Sequence, residues 1–194
     1  MARQARHTEL NKRVAAALRN AACPVELEPP GLSATSGKRP DGSTLLPFER
    51  GLSLAWDVTV PHPLAPSWRA RSAAVTGAVA LEAEGRKADK YSFLSGKAAF
   101  YPFAVETLGE FGPAARELVN KIVTRSKCCG AKVSRAGLTR SFLAAVIEGN
   151  AAIVLGLYQQ SGATDIISTT AAQRRGQTGS FSDARRPTEG PPPA

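Results

Sequence analysis

The feature that most constrains the fold is a pair of β-rich segments, 43–48 and 52–60, joined by a short turn. Turn residues between two such runs predict an antiparallel hairpin. Pro47 lies inside the first run and has no backbone N–H, so it should occupy a sheet edge or a bulge. Asp41 stands before the first strand and Asp57 near the end of the second. Because cross-strand neighbours lie about 5 Å apart, the two carboxylates could meet if the register allows it.

The other elements are predicted from hydrophobic periodicity and helix propensity. Helices are expected at 8–21 (with Thr8 as N-cap), 73–94, 113–123 and 139–158, and further strands at 24–28 and 98–106. The last strand is apolar throughout, which favours a buried central position. The order α-β-β-β-α-β-α-α predicts an α/β domain whose small mixed sheet is flanked by helices. We expect this domain at 1–162 and a disordered, basic, Pro/Gly-rich tail at 163–194.

Charge and cysteine content limit the partners. The chain has 25 Lys and Arg against 16 Asp and Glu, a net charge of +9, which favours nucleic acid over a membrane surface. Three cysteines without a C-x₂-C pair and only two histidines argue against structural zinc and suit a reducing compartment. No apolar run of membrane-span length and no secretory signal is evident, so we expect an intracellular protein without a membrane partner.

Three acids are candidate metal ligands. Mg²⁺ prefers carboxylate oxygens and water, so Asp41 and Asp57 could share one ion, with Glu28 of the preceding strand as a third acid. A cluster of acids without a counter-charge commonly marks a cation site. Lys87 and Lys90 lie three apart on a predicted helix and are therefore surface neighbours. Either could orient an attacking water and offset charge on a phosphate.

Each candidate also has a structural interpretation. Asp41 precedes Gly42, and its role could be limited to a turn. Asp57 could be a strand-end acid bonded to the backbone. The two lysines could form a solvated helix face, and Tyr91 a core aromatic with a wet hydroxyl. His7 opens the first helix without a visible partner and could touch a phosphate.

Read together, these segments resemble a known nuclease family. Pro40-Asp41, Asp57-Val58-Thr59 and Lys87-Ala88-Asp89-Lys90-Tyr91 are similar, in order and spacing, to motifs of the restriction-like endonuclease at the C-terminus of non-LTR retrotransposon polyproteins, within the PD-(D/E)XK superfamily. Arg6-His7 resembles the R-H element ahead of the PD motif. Segments 28–32 and 106–109 also resemble retroelement sequences. The resemblance spans about 6–158 and implies a restriction-endonuclease-like fold.

The resemblance implies specific roles. Asp41, Asp57 and Glu28 would bind Mg²⁺ or Mn²⁺, Lys87 or Lys90 would join the two aspartates in catalysis, and nucleic acid would contact the basic positions Arg6, His7, Lys38 and Arg39. Thr59 stands where most superfamily members have lysine, so activity would depend on the helix lysines.

The expected function is Mg²⁺-dependent nicking of target DNA in the nucleus, which in an intact element would prime reverse transcription. The chain begins at the R-H element, without the upstream reverse transcriptase and zinc knuckle, so we expect a fragment or truncated copy whose partners are DNA and the parent element's reverse transcriptase. The alternatives are an inactive remnant that binds nucleic acid through its charge, or a gene model whose protein is never made.

Overall fold

The structure, a computed structural model, describes residues 2–30 and 39–160 and has a mixed α/β fold. Its helices are α1 (Ala2–Asn20), α2 (Arg69–Ala74), α3 (Ala78–Lys90), α4 (Pro113–Cys128) and α5 (Arg135–Gln160), with a 3₁₀ turn at Ser92–Leu94. Its strands are β1 (Val25–Leu27), β2 (Gly42–Glu49), β3 (Leu52–Thr59) and β4 (Ala98–Ala104). Lys38 and the predicted tail 163–194 lie outside the described residues.

The four strands form one mixed sheet in the order β1-β2-β3-β4, flanked by helices. The first three pair antiparallel, and β3 and β4 pair parallel. The predicted hairpin is confirmed: Arg50 and Gly51 turn with φ of 49° and 76°, as expected for a type I′ turn with two positive φ angles. Pro47 lies at a register irregularity of β2, so its predicted position in a bulge is also confirmed.

The prediction that the apolar strand is central is wrong. Among the described residues β4 is an edge strand that pairs only with β3. Strand β3 lies inside the sheet, between β2 and β4. The strand is nevertheless covered on both faces: Tyr101 and Phe103 belong to the larger core, and Ala98 and Phe100 pack in a second cluster. An apolar run therefore reports burial of both faces rather than the number of neighbouring strands.

All four predicted helices differ in their boundaries, and the last one, predicted at 139–158, is α5 (Arg135–Gln160). The single helix expected at 73–94 is broken, because α2 ends at Ala74 and Gly77, with φ of 77°, precedes the start of α3. The first helix begins at Ala2, so Thr8 is not its N-cap. Helix α4 continues to Cys128, beyond the predicted end at 123.

The alternation of β3 separates two packing layers. Leu54, Trp56 and Val58 belong to the core built with α1 and α4, whereas Ala55 packs with Tyr91 on the α3 side. Because side chains alternate along a strand, Asp57 shares the α3 side.

Buried carboxylates fix α3 in place. Glu106, which follows β4, accepts a hydrogen bond from Ala80 N at 3.0 Å in the first turn of α3. Glu84 of α3 accepts hydrogen bonds from Ala114 N and Ala115 N, both at 2.9 Å, at the start of α4. Burial raises the pKa of Glu84, and the backbone hydrogen bonds partly offset this effect. These bonds satisfy orphan N–H groups of both helices and hold the lysine-bearing helix against the sheet.

The stretch Arg135–Gly156 of α5 meets the length and composition of a membrane span, with a mean hydropathy of 1.4. The expectation that no run reaches this length is therefore wrong. The criterion by itself establishes no location, because a core helix also satisfies it. Leu138, Phe142 and Val146 are buried in the main core, but only 17% of the apolar window is buried, and Ile147 is exposed.

Candidate active site

Asp41 and Asp57 meet at one end of β3. Gly42 pairs with Trp56 in the hairpin register, so the next step along each strand brings Asp41 to the level of Asp57. Val58 N donates a hydrogen bond to Asp41 Oδ2 at 2.7 Å. The carboxylate of Asp41 is thus tied to the residue that follows Asp57.

The close approach of β2 and β3 beside Asp41 and Asp57 depends on Gly42, which packs against Trp56. A Cβ atom at Gly42 would lie 2.1 Å from the indole of Trp56, so only glycine fits. Trp56 Nε1 donates to Asn11 Oδ1 at 2.7 Å, and Asn11 Nδ2 donates to Asp41 O at 3.3 Å. Helix α1 therefore holds both strands through one amide side chain.

His7 is the ionic partner of Asp41. Its Nε2 lies 3.0 Å from Asp41 Oδ2 and 3.1 Å from Val58 O. The hydrogen bond to Asp41 raises the pKa of His7, and burial opposes this effect. The structure therefore places His7 against a carboxylate, where the sequence analysis expected a contact with nucleic acid. His7 and Asn11 lie four residues apart on one helical face, and this spacing was the available signal for a shared polar site.

Asp57 is only 3% exposed and is contacted from α3. Lys87 Nζ forms an ion pair with Asp57 Oδ1. That oxygen accepts no aligned hydrogen bond in the described part of the chain, so Lys87 acts on it as a point charge. Tyr91 Oη donates to Asp57 Oδ2 at 2.6 Å. The carboxylate is thus balanced by one ammonium group and one hydroxyl group.

Tyr91 connects the two acid-bearing segments. Its hydroxyl also lies 2.6 Å from Arg39 O, two residues before Asp41, and accepts a hydrogen bond from Lys90 Nζ at 2.9 Å. Burial, followed by the hydrogen bond to Asp57, raises the pKa of Tyr91 above its ordinary value. The hydroxyl therefore stays protonated and can donate. The sequence interpretation of Tyr91 as a core aromatic describes its ring, which is buried, but misses this bridge.

Glu28 does not join the two aspartates. Its side chain is exposed, and its backbone N donates to Asp41 O at 3.0 Å with φ of 48°. Within 2–30 and 39–160, no three His, Cys, Asp or Glu side chains are grouped as a metal cluster. The structure thus brings together two acids instead of three, and each has a basic partner, His7 for Asp41 and Lys87 for Asp57.

The other predicted nucleic-acid contacts are dispersed. Arg6 is buried and donates to Asn150 Oδ1 at 2.6 Å, and a Cβ at Gly149 would lie 2.5 Å from its side chain. It therefore joins α1 to α5. Arg39 is exposed beside the site, while Lys38 lies outside the described residues.

The residue set fits a hard divalent cation. Mg²⁺ is commonly held by one or two carboxylates together with waters and substrate phosphate, and Asp41 and Asp57 supply two. Thr59 lies two residues beyond Asp57 on the same side of β3, and its buried Oγ1 has no hydrogen-bond partner among the described residues. A buried hydroxyl without a partner is costly, and a coordinated water would satisfy it.

Comparison of the sequence with protein families and curated proteins does not identify a family for this chain. No protein-family model matches the chain, and no curated protein matches it significantly in sequence.

Proposed function

We propose that this chain is a restriction-endonuclease-like domain of retroelement origin that nicks DNA with a divalent metal ion. One observation carries the proposal: residues from three separate segments of the resemblance converge on a single point. Asp41, Asp57, Lys87 and Tyr91 lie in or beside three elements, β2, β3 and α3. Hydrogen bonds and an ion pair connect them through Val58 N and Arg39 O.

Asp41 and Asp57 are the proposed ligands of Mg²⁺ or Mn²⁺. Such an ion, when bound, lowers the pKa of a coordinated water and neutralises charge on the phosphate. We assign the water-orienting role to Lys87, because its ammonium reaches Asp57 directly and its side chain is 25% exposed. Lys90 is directed to Tyr91, with its Nζ 4.5 Å from the ring centroid. It therefore supports Tyr91 and adds positive charge near the phosphate.

The partners follow from the same proposal. DNA is the substrate, and its backbone charge is attracted by the net charge of +9. In an intact element the nick would be used by the parent reverse transcriptase, and the nucleus would be the place of action.

A second candidate is an inactive remnant that binds nucleic acid through its charge. Two features favour it. Thr59 stands where the resemblance places the strand lysine, and Lys87 and His7 already engage the two carboxylates. This candidate predicts DNA retention that is sensitive to salt but unaffected by metal or by Asp41→Asn.

Nicking of supercoiled plasmid distinguishes the two. The nuclease predicts relaxed product with Mg²⁺ or Mn²⁺, none with a chelator, and none with Asp41→Asn, a variant that keeps an acceptor for Val58 N. Nicking that persists in Asp41→Asn would refute the site. A chain that never nicks, and whose DNA binding ignores metal, would be the remnant.

A further inference from the structure

The end of the sheet that lies away from Asp41 and Asp57, where β2 turns into β3, carries a distinct set of side chains. We call it the turn edge, because the β2–β3 turn, the start of β4 and the C-terminal ends of α1 and α4 meet there. Arg125 Nη1 of α4 lies 3.5 Å from Phe48 O beside the turn, and Cys129 Sγ, just after α4, lies 3.8 Å from Ala21 O just after α1. A groove of about 750 Å³ opens between the hairpin and α4.

Exposed cations collect at the turn edge. The segment 118–132, which comprises most of α4 and the loop after it, contains four Lys and Arg and no Asp or Glu. Five exposed cations from this segment and its neighbours have no ion pair in the described part of the chain: Arg19, Arg50, Lys97, Lys127 and Lys132. By contrast, Glu82 pairs with both Arg71 and Arg86 on the α2–α3 surface.

The acids of the turn edge do not cancel this charge. Lys121 Nζ lies 2.8 Å from Glu49 Oε1 and 3.4 Å from Glu117 Oε1. The hydrogen bond from Lys121, followed by that from Tyr101, lowers the pKa of Glu49. A single lysine therefore forms ion pairs with both acids. Arg50 adds a weaker attraction to Glu49, and Arg19, Lys97, Lys127 and Lys132 have no acidic ion-pair partner among the described residues.

Helix stability explains only part of the pattern. Cations near a helix C-terminus stabilise the helix dipole by about 0.3–1 kcal/mol each, which covers Arg19 and Lys127. Arg50, Lys97 and Lys132 lie outside any helix. Glu49, which attracts Arg50, is already engaged by Lys121, and Lys97 and Lys132 have no ion pair among the described residues. A polyanionic partner is therefore the simplest source of compensating charge.

We propose that the turn edge binds the phosphate backbone of a nucleic acid. This contact is separate from the DNA strand proposed to bind at Asp41 and Asp57. Strands β2 and β3, which run from the turn edge to the carboxylates, have eight residues each and span about 25 Å at 3.3 Å per residue. That span exceeds the Debye length of about 10 Å at 0.1 M salt more than twofold, so the two edges attract phosphates independently. The inference goes beyond the proposed nuclease function, because it requires neither a metal ion nor cleavage.

Salt-dependent binding tests this surface. Lys127→Gln/Lys132→Gln is compared with Lys12→Gln/Arg140→Gln, two exposed cations on α1 and α5. Both pairs lower the net charge by two. Binding to labelled 30-base-pair DNA and to single-stranded RNA of 30 nucleotides is measured by anisotropy in chelator over a range of salt concentrations.

We expect the turn-edge variant to reduce the slope of log K against log salt by about 1.8 on duplex or about 1.4 on single strands. Its affinity at 0.1 M salt should fall on the order of tenfold, and the control should bind like the wild type. A loss on one probe only identifies the preferred nucleic acid. Equal losses in both variants, or none in either, would overturn the proposal.

The measurement is independent of catalysis and of a folding defect. Binding in chelator does not require cleavage, so a chain that binds but never nicks refutes only the nuclease. If Lys127→Gln lowers the melting temperature, Lys97→Gln/Lys132→Gln repeats the test with loop residues alone.

Discussion

Two clusters in this molecule contain the same types of side chain, yet only one has carboxylates that are buried or held by the backbone. Each combines two carboxylates, a lysine and a tyrosine whose hydroxyl donates to a carboxylate. The first is Asp41, Asp57, Lys87 and Tyr91, and the second, at the turn edge, is Glu49, Glu117, Lys121 and Tyr101. Residue type alone therefore does not identify the candidate active site.

Burial and backbone contacts distinguish the clusters. Asp57 is 3% exposed, and Asp41 accepts a hydrogen bond from Val58 N. The side chains of Glu49 and Glu117 are 27% and 58% exposed, and no backbone N–H holds either carboxylate in the described residues. Short aspartate side chains fixed to the backbone preorganise a cation site, whereas long exposed glutamates lose side-chain entropy when they bind. Burial and attachment to the backbone therefore separate the two clusters.

Replacement of the buried carboxylate should have the largest effect. We expect Asp57→Asn to lower the nicking rate about 100- to 1000-fold, because electrostatic stabilisation of the transition state is lost. Glu49→Gln, the matched change in the turn-edge cluster, should nick at the wild-type rate. Titration calorimetry with Mg²⁺ should show the same contrast in binding heat. Equal behaviour of the two variants would remove the distinction between the clusters.

The lysines should differ next. We expect Lys87→Met to slow nicking about 100-fold, the ordinary loss for a group that assists proton transfer or water orientation. Lys121→Met should leave the rate unchanged, and Lys90→Met should fall between them. A larger loss in Lys90→Met than in Lys87→Met would transfer the assignment to Lys90. The measurement is single-turnover nicking at saturating metal.

A lysine introduced at position 59 of β3 tests the assignment of Lys87, because it should restore part of the nicking rate. Position 59 lies on the side of β3 that carries Asp57, and the buried Oγ1 of Thr59 has no hydrogen-bond partner among the described residues. We expect Thr59→Lys in the Lys87→Met background to recover about tenfold in rate, part of the contribution of a positioned catalytic group. Thr59→Met in that background is the control for side-chain size. No recovery would indicate that the helix lysine does not substitute for a strand lysine.

Much of the fold was predictable because its signals are local. The hairpin follows from turn residues and β-rich flanks, and the bulge at Pro47 follows from a missing N–H. The position of β4 was not predictable, since its apolar pattern records helices on both faces and carries no information about neighbouring strands. The break at Gly77 was missed because helix propensity summed over 73–94 conceals one residue with positive φ.

The candidate site was predictable in its acids and lysines but not in their contacts. The sequence order singled out Asp41 and Asp57, and the hairpin register decided that they meet. The pairing of His7 with Asp41 joins residues 34 positions apart, which no local pattern encodes. Glu28 was included on strand order alone, and its side chain faces solvent.

The contact between Gly42 and Trp56 gives a stability prediction. A methyl group at Gly42 would overlap the indole, so we expect Gly42→Ala to destabilise the protein by about 1–3 kcal/mol. Gly85→Ala is the matched control, because its Cβ meets nothing within 4 Å on α3, and it should stabilise by about 0.5–1 kcal/mol. Urea unfolding measures both. Destabilisation by Gly85→Ala, or tolerance of Gly42→Ala, would contradict the packing described.

The smallest effect should appear in acid, at the turn-edge cluster. The hydrogen bond from Lys121, followed by that from Tyr101, lowers the pKa of Glu49 in the folded chain below its ordinary value of 4.5. The folded state therefore binds this proton less readily than the unfolded state. The resulting stabilisation is present above pH 4.5 and is lost as the pH falls through the lowered pKa. We expect Glu49→Gln to cost about 0.5 kcal/mol at pH 7, as for a partly exposed ion pair, and progressively less in urea unfolding at pH 4 and pH 3. Glu26→Gln, an exposed β1 acid without an ion pair in the described residues, should show no such convergence. A cost for Glu49→Gln that is independent of pH would mean that packing of its side chain, and not its charge, holds the turn edge together.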